Sequence, residues 1–190
     1  VFITCGTGGF SGTSLSEDLY RAGSVSNPKG AVAAVGTATT GTHTLFNNIV
    51  NMGIYDGIFP KGITNAGGAM ASGRISLLNT YPTDPNNWVS IFSHWTNLIG
   101  DPALELWTDT PTVMNAEYSS SIDLGTNFID VHVSDDSGLG VNKAKITLLK
   151  GDDEIFKTVE TDFYGNATID LEYESGGTVL LTVTKKNYKP

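Results

Sequence analysis

The hydrophobic period of this 190-residue chain changes once, near Pro111, and that change limits the folds open to it. Beyond Pro111 apolar and polar residues alternate in short segments: Ile129 to Val133, Ala144 to Leu149, Ile155 to Val159, Ala167 to Leu171 and Val179 to Val183. Alternation buries one face and wets the other, as strands do. Turn-forming clusters separate the segments: Asp135-Asp136-Ser137-Gly138, Gly151-Asp152-Asp153, Tyr164-Gly165-Asn166 and Ser175-Gly176-Gly177. Strands that recur at about a dozen residues predict a β-sandwich over residues 111–190.

Before that point the pattern is mixed. Val1-Phe2-Ile3-Thr4-Cys5 is apolar on both faces and runs into Gly6-Thr7-Gly8-Gly9, which predicts a buried strand ending in a glycine loop. A strand of this kind needs neighbours on both edges, so the chain is expected to be a piece of a longer polypeptide. Ser14-Leu15-Ser16-Glu17 forms a capping box, and the helix it starts would carry Leu15, Leu19 and Ala22 on one face and end at Gly23. A turn at Asn27-Pro28-Lys29-Gly30 then precedes the apolar run Ala31 to Val35. Strand, helix, strand predicts parallel neighbours, with Val1 to Thr4 interior beside Ala31 to Val35, and an α/β domain over residues 1–110.

The rest of that domain follows the same logic. Thr37 to Thr44 is a polar loop, and the next helix places Leu45, Ile49 and Met52 on one side with Phe46 and Val50 beside them. A further helix is predicted from Ala66 to Leu78. Trp88, Phe92, Trp95 and Leu98 lead into a turn at Ile99-Gly100-Asp101-Pro102, and the three tryptophans are expected in the core.

Charge excludes some partners. The formal net charge is −9 at pH 7, and basic residues cluster only at Lys185-Lys186, so a phosphate backbone would be repelled. No apolar run approaches the roughly 20 residues that span a bilayer. One cysteine makes no intrachain disulfide, which leaves Cys5 as a packed hydrophobe, a reactive thiol or half of an intermolecular bridge. On the residues alone the inert reading is the commoner one. Against it stand the strand end and the glycines Gly6 and Gly8, whose uncovered N–H groups suit stabilisation of a thiolate and of an oxyanion.

Cys5-Gly6-Thr7-Gly8-Gly9-Phe10 resembles the nucleophile segment of the gingipain family of caspase-like cysteine peptidases. Leu19-Tyr20-Arg21-Ala22, Gly30 to Gly36 and Ile99-Gly100-Asp101-Pro102-Ala103-Leu104 resemble the same family in the same order. The resemblance implies an α/β caspase-like half-domain followed by an all-β immunoglobulin-like sandwich. It implies a secreted endopeptidase, extracellular or at the cell surface, that cleaves polypeptides through a thioester acyl-enzyme on Cys5. The family's histidine precedes the cysteine, so it would lie in a missing N-terminal half of the catalytic domain, on the same polypeptide or a separate chain. The rival reading is a non-catalytic surface or adhesion protein that keeps the scaffold and uses its β-domain as a spacer.

Three histidines remain as substitutes. His132 falls on a β-domain strand, His94 reads as structural, and His43 lies in the loop beside the Cys5 strand. The same resemblance makes Thr42, His43 and Phe46 candidates for a substrate-pocket wall, with no acidic residue among them. Asp135-Asp136 and Asp152-Asp153-Glu154 offer loop oxygens to calcium, but neither has a full ligand spacing. They read as solvated turns, with no metal ligand and no cofactor required.

Overall fold

The computed structural model describes residues 1–84, 86–151 and 154–189. Two compact units divide the chain, Val1–Thr108 and Asp109–Pro190.

The first unit is built on a short sheet with helices on both of its faces. Helix α1 (Leu15–Tyr20) starts where Ser14 Oγ accepts the Glu17 N–H. It stops at Tyr20, short of the expected Gly23, and Leu15 and Leu19 are exposed while Ser14 and Ser16 are buried. The face that packs is therefore the small polar one, because a serine fits against a glycine where leucine would not: a Cβ on Gly36 would meet Ser16 Oγ at 2.6 Å. In place of the turn at Asn27 to Gly30 stands a tight antiparallel pair, β1 (Gly23–Ser24) and β2 (Asn27–Pro28).

Strand β3 (Ala33–Thr37) follows, then α2 (Thr44–Ile58), α3 (Ala66–Thr80), α4 (Trp88–Trp95) and β4 (Thr96–Gly100). The turn expected at Ile99 is thus still strand, and β4 pairs antiparallel with β3, Ala33 opposite Gly100 and Thr37 opposite Thr96. Successive strand residues face opposite ways. Gly36 faces α1, and Val35 packs with Val50, Ile54, Ala69, Leu77, Val89 and Phe92 from α2, α3 and α4.

Helices α2 and α3 close on each other through small residues. A Cβ on Gly73 would lie 2.6 Å from the Val50 carbonyl oxygen, and one on Gly53 2.4 Å from Ser76 Oγ. The α2 face is accordingly rotated from the expected one: Val50, Gly53, Ile54 and Gly57 are buried, while Leu45 and Met52 are exposed. Of the tryptophans Trp95 is partly buried against the core, and Trp88 meets it only at the rim, on Phe46 and Phe92. Trp88 is 43% and Trp107 50% exposed.

Val1 to Thr4 run beside β3 without forming a strand. Phe2 N–H donates to Val35 O at 2.7 Å and Gly6 N–H to Thr39 O at 2.8 Å, both partners advancing together as in a parallel pair. Ile3 is exposed, against the interior strand expected, because no strand among the described residues covers the other edge of the segment.

Among the described residues the second unit has no helix. Its strands are β5 (Thr112–Tyr118), β6 (Phe128–Asp135), β7 (Lys145–Lys150), β8 (Ile155–Glu160), β9 (Asn166–Asp170), β10 (Leu180–Thr184) and β11 (Tyr188–Lys189). They form two sheets, ordered β10-β7-β8 and β11-β5-β6-β9. One core draws on both: Met114, Val131, Val133 and Ile169 from the second, Ile146, Leu148 and Ile155 from the first. Strands β5 and β11 are additions to the sequence reading. Asp152 and Asp153 lie outside the described residues.

Candidate active site

The chain alongside β3 ends in a tight turn at Cys5. Gly6 takes φ +70°, a left-handed conformation that a side chain would strain, so the backbone reverses directly after the cysteine. Thr4 O then accepts the hydroxyls of Thr7 and Thr37, at 3.0 and 2.5 Å, which ties the turn to the end of β3. Gly8 N–H donates to Thr37 O and Asn97 Nδ2 to Gly8 O, both at 2.9 Å. Cys5 is held at the carboxyl end of the sheet, where open α/β sheets take their ligands, and its thiol is free and exposed.

One side chain meets that thiol. Thr42 Oγ1 lies 2.8 Å from Cys5 Sγ, brought there by the loop between β3 and α2. The Thr42 hydroxyl, and after it the Thr42 backbone, hold the Cys5 thiol below its ordinary range, outweighing the opposing effect of desolvation. Behind Thr42 stands Asn47, buried on the first turns of α2. Its Nδ2 donates to Thr42 Oγ1 and to Ile3 O, both at 3.1 Å.

The expected oxyanion donors are otherwise engaged. Gly6 N–H donates to Thr39 O and Gly8 N–H to Thr37 O, so both knit the loop to its neighbour. The Cys5 N–H donates to no backbone carbonyl among the described residues.

The expected pocket wall also divides. Thr42 is bonded to the Cys5 thiol. His43 is exposed and caps α2, its Nδ1 accepting the Leu45 N–H at 3.1 Å. Phe46 is half-buried in an aromatic cluster, 4.5 Å between ring centroids from Phe92, 5.3 Å from Tyr81 and 6.3 Å from Trp88. His94 Nδ1 is bonded to Ser90 O on its own helix, and His132 Nδ1 to Asn166 across two strands of the second unit. Asn47 was not legible as a site residue. Its signal was a polar side chain in register with Val50 and Ile54 on the buried face of a helix.

Among the described residues no three His, Cys, Asp or Glu side chains gather as a metal site. Asp135 Oδ1 instead closes its own turn, accepting from the Ser137 N–H, the Ser137 hydroxyl and the Leu139 N–H.

A mixed α/β layer that presents an accessible, hydrogen-bonded thiol at its carboxyl edge places the chain in the class of cysteine peptidase-related proteins. Residues 1–107 match the model of peptidase family C25, and the chain belongs to that family. It is similar to the crystal structure of the Arg-specific cysteine proteinase gingipain R, with 25% identity and a TM-score of 0.65 over 97% of this chain and 41% of that one. A complex of Porphyromonas gingivalis RgpB pro- and mature domains matches at 23% identity and a TM-score of 0.64, over 97% of this chain and 42% of that one. The chain therefore spans about two fifths of the length of the gingipain chains it matches. Its first unit has their caspase-like fold. No curated protein matches it.

Proposed function

We propose that this chain carries the nucleophile of a secreted cysteine endopeptidase, followed by an immunoglobulin-like domain. The observation that carries the reading is the exposed Cys5 thiol, bonded to Thr42 and held below its ordinary range, in a member of peptidase family C25. The thiolate attacks the scissile carbonyl carbon, the carbonyl π electrons move to oxygen, and the tetrahedral intermediate collapses to a thioester as the amine leaves with a proton. Water then cleaves the thioester and restores the thiol. Cys5's own N–H, which donates to no backbone carbonyl among the described residues, is available as an oxyanion donor in this reading.

The proton shuttle belongs to the remainder of the catalytic domain, in the part of the parent protein that this chain does not span. An exposed apolar set on the first unit, Val1, Ile3, Phe10, Leu15, Leu19 and Val25, supports a covering segment there. The two facing sheets of the second unit, with their shared core, support the immunoglobulin-like assignment. Extracellular location follows the gingipain reading and is checked by fractionating cells that express the parent.

The deciding experiment replaces Cys5 by Ala in the full-length parent and follows hydrolysis of a peptide mixture together with thermal unfolding. Hydrolysis should vanish with the unfolding midpoint nearly unchanged, because an exposed side chain leaves no cavity. Hydrolysis that survives would sink the nucleophile assignment. A wild-type parent that folds and cleaves nothing would leave the non-catalytic surface scaffold.

A further inference from the structure

Cys5 has a supporting chain of hydrogen bonds that ends in a buried amide. Asn47 is 5% exposed, and its two Nδ2 hydrogens go to Thr42 Oγ1 and to Ile3 O. A hydroxyl has one hydrogen to give and two lone pairs to receive with. Accepting from Asn47 takes one Thr42 lone pair and leaves its hydrogen free. Across the 2.8 Å to the sulfur either partner can donate while the sulfur is a thiol, but to a thiolate, which has no hydrogen, the Thr42 hydroxyl must be the donor. The second Asn47 hydrogen fixes the backbone two residues before the cysteine, so one amide holds both the donor and the segment that carries the thiol.

We infer that Asn47 is a positioning residue for the Cys5 nucleophile, acting through the Thr42 hydroxyl, which it orients to donate to the thiolate. The inference rests on Cys5 being the nucleophile of the proposed peptidase, but its direct readout does not require turnover. A glutamine or aspartate of similar polarity on an exposed turn would be solvated. This asparagine lies instead on the helix face that packs with Val50 and Ile54, where an amide is retained only with its hydrogen bonds satisfied.

The test is the pH profile of Cys5 alkylation by iodoacetamide in the full-length parent, read by peptide mass at this residue, with hydrolysis measured in parallel. Loss of one neutral hydrogen bond to the thiolate should move the alkylation midpoint up by about half to one pH unit. That shift is expected for Thr42→Val and for Asn47→Leu, while Thr42→Ser should keep the wild-type midpoint. In a Thr42→Val background, Asn47→Leu should add no further shift. An unchanged midpoint in folded Asn47→Leu would overturn the inference, as would a shift of equal size in both backgrounds. If Asn47→Leu does not fold, Asn47→Ala takes its place under the same criteria, and an unshifted Thr42→Val refutes the relay by itself. A parent without hydrolysis whose midpoints still move as stated would remove the peptidase reading and keep the relay.

Discussion

A Cβ built on Gly8 would lie 2.6 Å from both the carbonyl carbon and the carbonyl oxygen of Gly36. The two backbones touch with no side chain between them, and this contact seats the Cys5 turn against the end of β3. The glycines after the cysteine thus serve close approach and chain reversal, with their N–H groups bonded to Thr37 and Thr39.

Gly8→Ala should therefore lower the stability of the first unit by about 1–3 kcal/mol, since backbone atoms must separate to admit the methyl group. It should also slow Cys5 alkylation by disturbing the turn. Gly41 is the control from the neighbouring loop: a Cβ there meets nothing within 4 Å, and Gly41→Ala should be nearly neutral. Denaturant unfolding of the parent followed by Cys5 labelling reads both effects. Equal stabilities for the two variants would show that the Gly8 contact yields without cost.

Sequence pattern revealed some of this and concealed the rest for identifiable reasons. Strands β6 to β10 were legible because their side chains alternate between a shared core and solvent, the period-2 signal in its plain form. Strand β11 is two residues long and gives no period to read. Helix α2 was legible as a helix but not in its orientation. Apolar size pointed to Leu45 and Met52, whereas the contact with α3 is closed by Gly53, Gly57 and Gly73, whose missing side chains carry no hydrophobic signal. Cys5 stood out in the sequence as the one cysteine, followed by a glycine loop. Its partner Thr42 is 37 residues away, and only the fold brings a threonine there.

Acid should weaken the second unit through Glu154. Lys150 Nζ reaches Glu154 Oε1 at 2.8 Å, and the backbone N–H groups of Glu174 and Ser175 add bonds at 3.0 and 3.1 Å. Led by the Lys150 contact, these hold the carboxyl down to about 2 from an ordinary 4.5. A carboxylate whose folded value is depressed contributes stability above its unfolded value, and that contribution drains away as pH falls from about 4.5 towards 2. Thermal unfolding of wild type should lose ground to Glu154→Gln across this window. Parallel curves for the two proteins would show that the carboxylate has the same affinity for protons folded and unfolded.

His43 tests the choice of base. Its Nδ1 accepts the Leu45 N–H at 3.1 Å, so in the neutral ring the hydrogen sits on Nε2 and neither nitrogen has a lone pair free for a proton from Cys5. To serve as a base the ring would have to abandon the start of α2. The expected outcome is that His43→Ser, which keeps an N-cap acceptor, leaves both unfolding and peptide hydrolysis by the parent nearly unchanged. His43→Ala should cost about 1 kcal/mol of stability through the lost cap and still support hydrolysis. Both variants differ from Cys5→Ala, which should fold and not cleave. A folded His43→Ser parent that no longer cleaves peptide, with Cys5 still alkylated at the wild-type rate, would make His43 the proton acceptor and move the whole catalytic pair into this chain.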